Sequence, residues 1–405
     1  MNRVPKIRFK EFSGEWEEKK IGEIMECIVP GRNKPQEFNG TIPWITTPDI
    51  LNKNFVFHSK NRLNLSEIEI KKVGAKIIPK DSVIMSCVGE LGVVCIAGTD
   101  VVINQQLHAF IPNKNIDNVF IKNTLLTKIS YMETVATKTA VLYMKKETCN
   151  SIPVFLPFLA EQKKIADFLS NVDIKIEKLE RKKELWEEYK KGMMQKIFSQ
   201  EIRFKDENGN EYPQWEEKRL VEILEDYYQG INTTADNVKY YDEGYPILQA
   251  KHITNEYLDF NDVKYLNKEK YEYYCKKYKP RKNDILISNI GTLGKIVLIK
   301  EDVKFLIAWN IFKITLKVGV DSLYVFFLLK KISQDGYFEK NKTGNATKFV
   351  NKDRMIGIPV ILPSLPEQEK IANLLSSIDS KIEIMEKELE GIKEFKKGLL
   401  QAMFV

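Results

Sequence analysis

Cysteine and histidine are scarce in this chain of 405 residues, which has five of the first (Cys27, Cys87, Cys95, Cys149, Cys275) and three of the second (His58, His108, His252). The cysteine number is odd and no CxxC spacing occurs, so neither a disulfide framework nor a zinc cluster is indicated, and a reducing compartment fits. No histidine stands beside a cysteine or another histidine at ligand spacing. Long apolar runs are missing too. The longest, Leu323 to Leu329, is far too short to cross a bilayer, and the opening MNRVPKIRFKEF has no apolar core of the signal-peptide kind. A cytoplasmic protein with no membrane partner is expected.

Catalytic signatures are equally sparse. There is no GxSxG elbow, no GxGxxG fingerprint, and no Asn/Asp-Pro-Pro-aromatic tetrapeptide of the kind that amino-methyltransferases use to hold a target amine. GTLGK (Gly291 to Lys295) has part of a phosphate loop, but Asn289 stands where the first glycine belongs and Ile296 where Ser or Thr should follow the lysine, so a hairpin turn is the better reading. Asp49, Glu69 and Lys71 fit the loose nuclease pattern of two carboxylates and a lysine around a metal, yet the second half of the chain has no counterpart. No catalytic residue, no metal and no cofactor in this chain is the expectation. Charge decides little: 63 basic against 56 acidic residues leave +7, which permits a nucleic-acid partner without requiring one. With 43% hydrophobic and 11% aromatic residues, the chain has ordinary material for two or three globular cores.

What the sequence does have is a repeat. Glu161 to Phe198 returns as Glu367 to Phe404, aligned without a gap at an offset of 206 and identical at 19 of 38 positions. Each copy carries an apolar residue every seven positions: Ile165, Val172, Leu179, Trp186 and Met193 in one, Ile371, Ile378, Met385, Ile392 and Leu399 in the other. A second seam runs through Leu169 and Ile176, and through Leu375, Ile382 and Leu389. So narrow a stripe predicts long helices pairing as a coiled coil, most simply with each other, each roughly 57 Å long at ~1.5 Å per residue. The domains ahead of the helices also correspond, more loosely. Arg8-Phe-Lys and Trp16-Glu-Glu-Lys open the first; Arg203-Phe-Lys and Trp215-Glu-Glu-Lys open the second; both close on Ile-Pro-Val and Leu-Pro (Ile152 to Pro157, Ile358 to Pro363), which read as extended entries and hinge points. Between lie strand signals (Ile42 to Ile50, Ser82 to Gly98, Tyr245 to Ile253, Asp284 to Ile299), with Gly89 and Gly92 matching Gly291 and Gly294, and helical pieces (Asn118 to Ile129, Asp321 to Ile332).

The fold class that follows is α+β: two similar globular domains of mixed β-sheet and helix, joined by two long helices in an antiparallel coiled coil with pseudo-twofold symmetry. The boundaries are 1–156, 157–200, 201–362 and 363–405. Such a rod would hold half-sites ~34 Å apart on one face of DNA.

The doubled layout, the EQxKIAxxLSxxDxKIE helix start, the IPxxLP lead-in and the Trp-Glu-Glu-Lys opening resemble the specificity subunit of type I restriction-modification systems over nearly the full chain. The resemblance implies that the two globular domains are target recognition domains, each reading half of a bipartite double-stranded DNA sequence. It implies that the helices space them and dock two modification (methyltransferase) subunits. S-adenosylmethionine, ATP and Mg would then sit on partner subunits, the modification subunits methylating adenine at N6 and restriction subunits adding translocation and cleavage. Candidate DNA-binding residues are polar and basic side chains in turns. In the first domain these are Arg32, Asn33 and Lys34, Thr46 and Thr47, Gln105 and Gln106, and Lys138 with Thr139. In the second they are Thr233 and Thr234, Gln249, Lys251 and His252, Asn289 and Thr292, and Lys342, Thr343, Asn345, Thr347 and Lys348 of the loop NKTGNATK. Trp186 and Tyr189 fit the coiled-coil seam better than a partner-anchoring role. Lys190-Lys191-Gly192 and Lys396-Lys397-Gly398 fit a phosphate contact or a fraying last turn. The EQ starts fit a partner contact or a first-turn acid favoured by the helix dipole. A coiled-coil scaffold for proteins or RNA, with no modification role, is the alternative reading.

Overall fold

The sequence signatures that open and close each half are paired with one another. Glu17–Lys20 lies antiparallel to Pro153–Leu156, and Glu216–Arg219 lies antiparallel to Pro359–Leu362, in the same register. This computed structural model describes residues 4–31, 33–138, 140–254 and 257–405. The chain packs as two units: Met1–Lys182 with Met385–Val405, and Lys183–Ile384.

In the first unit a five-stranded sheet runs in the order Cys27–Ile28, Leu107–Phe110, Val83–Ser86, Val94–Ala97, Phe55–Val56. Its pleat feeds two cores. Val83, Met85, Val94 and Phe110 pack with the helix Asn118–Thr127 and the first long helix, while Ile84, Cys95, Ala97, Leu107 and Ala109 pack against a second sheet. That second sheet has the order Asn64–Leu65, Ile42–Ile45, Val101–Ile103, Ile77–Ile78, with a parallel pair at its centre. The second unit repeats the plan with a four-stranded sheet (Leu224–Gln229, Ile311–Leu316, Ile285–Ser288, Ile296–Leu298) and a three-stranded one (Lys264–Leu266, Tyr245–Leu248, Leu306–Ile307). The expected helices are present as Asn118–Thr127 and Ser322–Gln334, capped by Asp117 and Asp321. Gly89, Gly92, Gly291 and Gly294 all have φ between 70° and 78°, so the paired-glycine signature is a hairpin turn in both units and GTLGK is no phosphate loop.

The long helices run Leu159–Phe198 and Leu365–Met403. Within the first unit Asp173 meets Lys396 and Glu180 meets Lys393, one number rising as the other falls, so the two stretches are antiparallel. Within the second unit Trp186 lies under Lys381 and Lys190 pairs with Asp379, in the same sense. Ile165, Leu169 and Val172 are buried in one unit and Ile371, Leu375 and Ile378 in the other, as the heptads require. Trp186 is half-buried in the seam, edge-on to an exposed Tyr189. Lys190 and Lys396 neither fray nor project: each is bound to an aspartate of the facing helix.

The EQ starts are neither surface contacts nor mere dipole acids. Glu161 and Glu367 are 1% and 0% exposed, and each receives a two-pronged arginine: Arg8 at 2.7 Å on both oxygens, Arg203 at 3.2 and 2.8 Å. Gln162 accepts the Asp117 N–H and donates to the Pro157 carbonyl; Gln368 does the same with Asp321 and Pro363. The Leu-Pro entries are thereby tied to the caps of the domain helices.

One charge cluster differs in depth between the halves. Lys122 (2% exposed) donates to Asp173 at 3.3 Å, and Asp173 also binds Lys396. Burial lowers the Lys122 pKa while Asp173 opposes that shift. The corresponding Lys190–Asp379 pair has an aspartate 38% exposed. Asp173→Asn is therefore expected to destabilise the first unit by about 3–5 kcal/mol, because it strands a buried ammonium, whereas Asp379→Asn costs under about 1 kcal/mol. Urea unfolding followed by peptide-resolved hydrogen exchange measures both, and equal losses would remove burial as the cause.

Candidate nucleic-acid interface

A parallel strand pair in a mostly antiparallel sheet leaves two chain exits side by side at one edge. In the first unit Trp44 pairs with Val102 and Ile45 with Ile103, and the Asn104 N–H continues the ladder to the Ile45 carbonyl at 2.9 Å. Thr46–Thr47 and Asn104–Gln106 therefore emerge together. Thr47 Oγ1 donates to Gln106 Oε1 at 3.4 Å, and Asn104 Nδ2 donates to the same oxygen at 3.1 Å. Gln105 Nε2 reaches across to the carbonyls of Gly31 (3.0 Å) and Asn33 (3.2 Å), while Asn33 Nδ2 donates to Val73 O. The Cys87 N–H donates to Gln106 O, Met144 N–H to Cys87 O, and Gly89 N–H to Leu142 O. These bonds seat the hairpin Thr137–Lys138/Leu142–Tyr143 on the same edge. Asn33, Thr47, Gln105, Gln106 and Lys138 thus belong to one contiguous polar surface, with exposed Lys34 beside Asn33. Arg32 and Thr139 lie outside the described residues.

The second unit builds the same edge from different residues. Ile247 pairs with Leu306 and Leu248 with Ile307, after which Gln249–Lys251 and Trp309–Asn310 emerge. Asn310 Oδ1 accepts the Ala250 N–H at 3.1 Å, and Gln229 Nε2 donates to Trp309 O at 2.8 Å. The Gly291 N–H donates to Lys348 O, docking the loop that carries Lys342, Thr343, Asn345, Thr347 and Lys348; all five are exposed. Thr292 and Thr234 are exposed and Thr233 half-buried. Lys251 is bound to Asp262, Lys342 to Glu339 at 2.5 Å, and Lys348 Nζ to Gly344 O at 2.7 Å, exposed contacts that a phosphate can replace at little cost.

Three expected readers serve the scaffold instead. Asn289 is 1% exposed; its side chain donates to Val350 O and its N–H to Asn310 O. His252 is 2% exposed, with Nδ1 accepting the Gln249 N–H at 2.9 Å and Nε2 left to donate to Asp262 O at 3.3 Å. Thr46 gives its hydroxyl to Asp49 Oδ2 at 2.6 Å, closing the turn Thr47–Ile50. Each polar side chain here satisfies a backbone or cap that would otherwise be buried unpaired. The nuclease reading fails on the same ground. Asp49 accepts the N–H groups of Thr46 and Lys60, and Glu69 those of Gln36 and Glu37, so both carboxylates hold loops together.

Sequence reasoning missed the residues that strand pairing brings to the edge: Asn104 in the first unit, and Gln229, Trp309 and Asn310 in the second. Trp309 is 42% exposed at the place that Gln105 occupies in the first unit. It also missed a basic, aromatic cleft of about 790 Å³ lined by Tyr227, Tyr228, Gln229, Lys276, Lys277, Arg281 and Lys352. Lys352 lies 5.0 Å over the Tyr227 ring and Lys277 5.2 Å over that of Tyr278. The run KKYKPRK was the available signal. A groove of cations and ring faces beside a polar edge suits a phosphodiester chain whose bases are read alongside. Among the described residues, no helix is long and apolar enough to cross a membrane.

The family model for the type I restriction modification DNA specificity domain matches twice, over residues 13–187 and 212–394. The chain is 25% identical to the MjaVIII specificity subunit of Methanocaldococcus jannaschii over 98% of this chain and 94% of that protein. Against the MjaIX specificity subunit of the same organism it is 26% identical, but the match spans only 59% of this chain and 58% of that subunit. The EcoBI specificity subunit of Escherichia coli is 22% identical over 88% of this chain and 78% of its own length. Among solved structures, the S subunit of a type I restriction-modification system from M. genitalium superposes with a TM-score of 0.62 at 16% identity, covering 99% of both chains. A chain from a study of complex assembly and conformational transition in the type I R-M system reaches 0.55 at 16% identity, covering 96% of each. At that identity the two structures share the fold.

Burial lowers the His252 pKa, so the native state holds the imidazole neutral. The unfolded chain then takes up a proton first as pH falls. The contribution of His252 is whole above the ordinary histidine value of about 6.5 and is lost as pH drops below it. His252→Asn, which keeps an acceptor for the Gln249 N–H, is expected to flatten the second unit's stability between about pH 7 and about pH 5. An unchanged slope in thermal unfolding would assign the titration to another group.

Proposed function

The chain belongs to the type I restriction-modification DNA specificity family, and from that premise we propose that it is the non-catalytic, sequence-specific DNA-binding subunit of a modification complex. Each unit reads one half of a bipartite duplex target. One observation carries the reading: both units present the same edge, held by the same backbone bonds, but with Thr47, Gln105 and Gln106 on one and Trp309 and Asn310 on the other, where a buried Ala250 takes the place of Thr47. Equal scaffolds with unequal side chains suit two different half-sites. Glutamine and asparagine at such an edge offer the paired donor and acceptor that adenine presents in the major groove, and lysine suits guanine.

The long helices set the spacing between the halves and offer two modification subunits nearly identical docking surfaces, which is why identical partners serve an asymmetric target. Those subunits bind S-adenosylmethionine and methylate adenine N6; restriction subunits would use ATP and Mg. The adenine must leave the stack to be methylated, at a cost of a few kcal/mol, so the DNA has to be held in fixed register while it does. In this chain Lys276, Lys277, Arg281 and Lys352 would supply phosphate contacts for that hold.

N6-methyladenine mapping of the host genome, with the gene intact and deleted, tests the reading. Loss of one bipartite motif on deletion is expected; no change, with partner subunits expressed, would favour a scaffold without a modification role. Within the complex, Gln106→Ala should cost about 1–3 kcal/mol of base discrimination in one half-site only. Lys277→Ala should weaken all sequences alike and lower the salt slope by about 1. Removing seven residues from each long helix shortens it by ~10 Å and should shift the preferred gap between half-sites by about three base pairs. A mapped motif with its gap unaltered would count against the helices as ruler.

A further inference from the structure

Beneath the polar edge of the first unit, three side chains far apart in sequence converge. Cys87 follows the strand Val83–Ser86, His108 lies on Leu107–Phe110 opposite Met85, and Cys149 lies in the short helix Lys146–Asn150. Cys87 Sγ is 3.5 Å from Cys149 Sγ, and His108 Nδ1 is 3.2 Å from Cys149 Sγ. The three ligand atoms all lie within 4.8 Å of one another, and all three residues are buried. A tetrahedral zinc ion with bonds of ~2.3 Å to sulfur and ~2.0 Å to nitrogen places two sulfurs ~3.8 Å apart and a sulfur and a nitrogen ~3.5 Å apart. The two pairs that include Cys149 thus stand within about 0.3 Å of coordination distances, and the third donor pair lies within 4.8 Å.

We propose that Cys87, His108 and Cys149 form a buried zinc-binding site in the first unit. Binding forms two Zn–S bonds and one Zn–N bond. The two thiol protons leave to solvent, and the imidazole binds through Nδ1 while Nε2 keeps its proton. One dication and two thiolates sum to zero, so the occupied site adds no net charge to the core. The three side chains leave the fourth position to water, as in three-ligand zinc sites; Met85 O and Met144 O accept from the two thiols at 3.5 and 3.9 Å. The ion would fasten the strand end that bonds Gln106 and Met144 to the sheet beneath it.

The second unit gives the contrast. Asn289 stands where Cys87 does, its N–H bonding Asn310 O as that of Cys87 bonds Gln106 O; Phe312 opposes Ile287 as His108 opposes Met85; and Met355 takes the place of Cys149 in the equivalent short helix. Phe312 and Met355 are buried apolar side chains, so this position in the fold needs no metal donors for packing. The first unit has donors at all three places. Sequence spacing concealed them, because strand register and a helix brought them together.

The test uses the full chain, purified without chelators and with thiols kept reduced. Elemental analysis should find about one zinc per chain. Replacement with Co(II) should give the near-ultraviolet thiolate-to-cobalt charge-transfer band together with tetrahedral ligand-field bands. Cys149→Ser and His108→Asn should lose or sharply weaken both signals, while Cys275→Ser, outside the cluster, should keep them. Should the variants fold poorly, the cobalt spectrum of the unaltered chain still decides. No zinc and no thiolate band overturns the proposal. So does a band that survives Cys149→Ser, or a Cys87–Cys149 disulfide, seen by mass as the loss of two hydrogens, as the only modification at the cluster.

Discussion

Everything in each unit hangs on a carboxylate buried at the start of a long helix. Glu161 and Glu367 are out of water, and a carboxylate there is tolerated only with its charge and lone pairs answered. The answer comes from the opening of the same half, Arg8 or Arg203, some 150 residues upstream, in a two-pronged pair; in the second unit Trp215 Nε1 adds a bond at 2.9 Å. The neighbouring glutamine ties the helix start to the cap of a domain helix. Three distant segments are thus fixed by two adjacent side chains, and the strand pair Glu17–Lys20/Pro153–Leu156, or its counterpart, closes the frame. The direction of the helix and the orientation of its domain become one rigid choice.

Upon this frame the same structural task passes between unlike residues. The turn after the central parallel strand is closed by Asp49 in one unit and His252 in the other, each accepting a backbone N–H three residues back. Gln105 and Trp309 share one place on the edge, and so do Gln106 and Asn310. What remains constant is the backbone bonding, which depends little on side-chain identity; what varies is what the edge shows to a partner. A reader of base edges gains from that separation, because a change in the reading face leaves the supporting ladder intact.

The large features were legible because they rest on periodicity and self-similarity. The heptads gave both long helices within two residues at either end, and the paired glycines gave the two hairpin turns. The opening and closing motifs were visible as repeats, but that they bond to each other was not, since nothing local in Trp-Glu-Glu-Lys specifies Ile-Pro-Val as its ladder partner. The site was legible only as a region. Gln105, Gln106 and the 341–348 loop reach the edge, whereas Asn289, His252 and Thr46 do not, because polarity in a sequence does not say whether a backbone group has already claimed the side chain. Trp309 was passed over for the opposite reason. It stands between the buried Ala308 and Ile311, and only its position after the parallel strand pair turns it outward.

Depth of burial then distinguishes two halves that the repeat makes look alike. Lysine–aspartate pairs bridge the helices in both units, but the first unit adds Lys122 from its domain helix to the same aspartate, within reach of Asn54 on the loop ahead of an edge strand. A buried ammonium shared in this way resists rotation of the domain on its helix, because any displacement separates charges where water cannot compensate. The second unit has Lys190 over the Phe327 ring and an aspartate open to solvent, an arrangement that gives at lower cost. The two units thus differ in how a domain is tied to its helix, and the difference lies in a single lysine, Lys122, that the helix repeat does not contain.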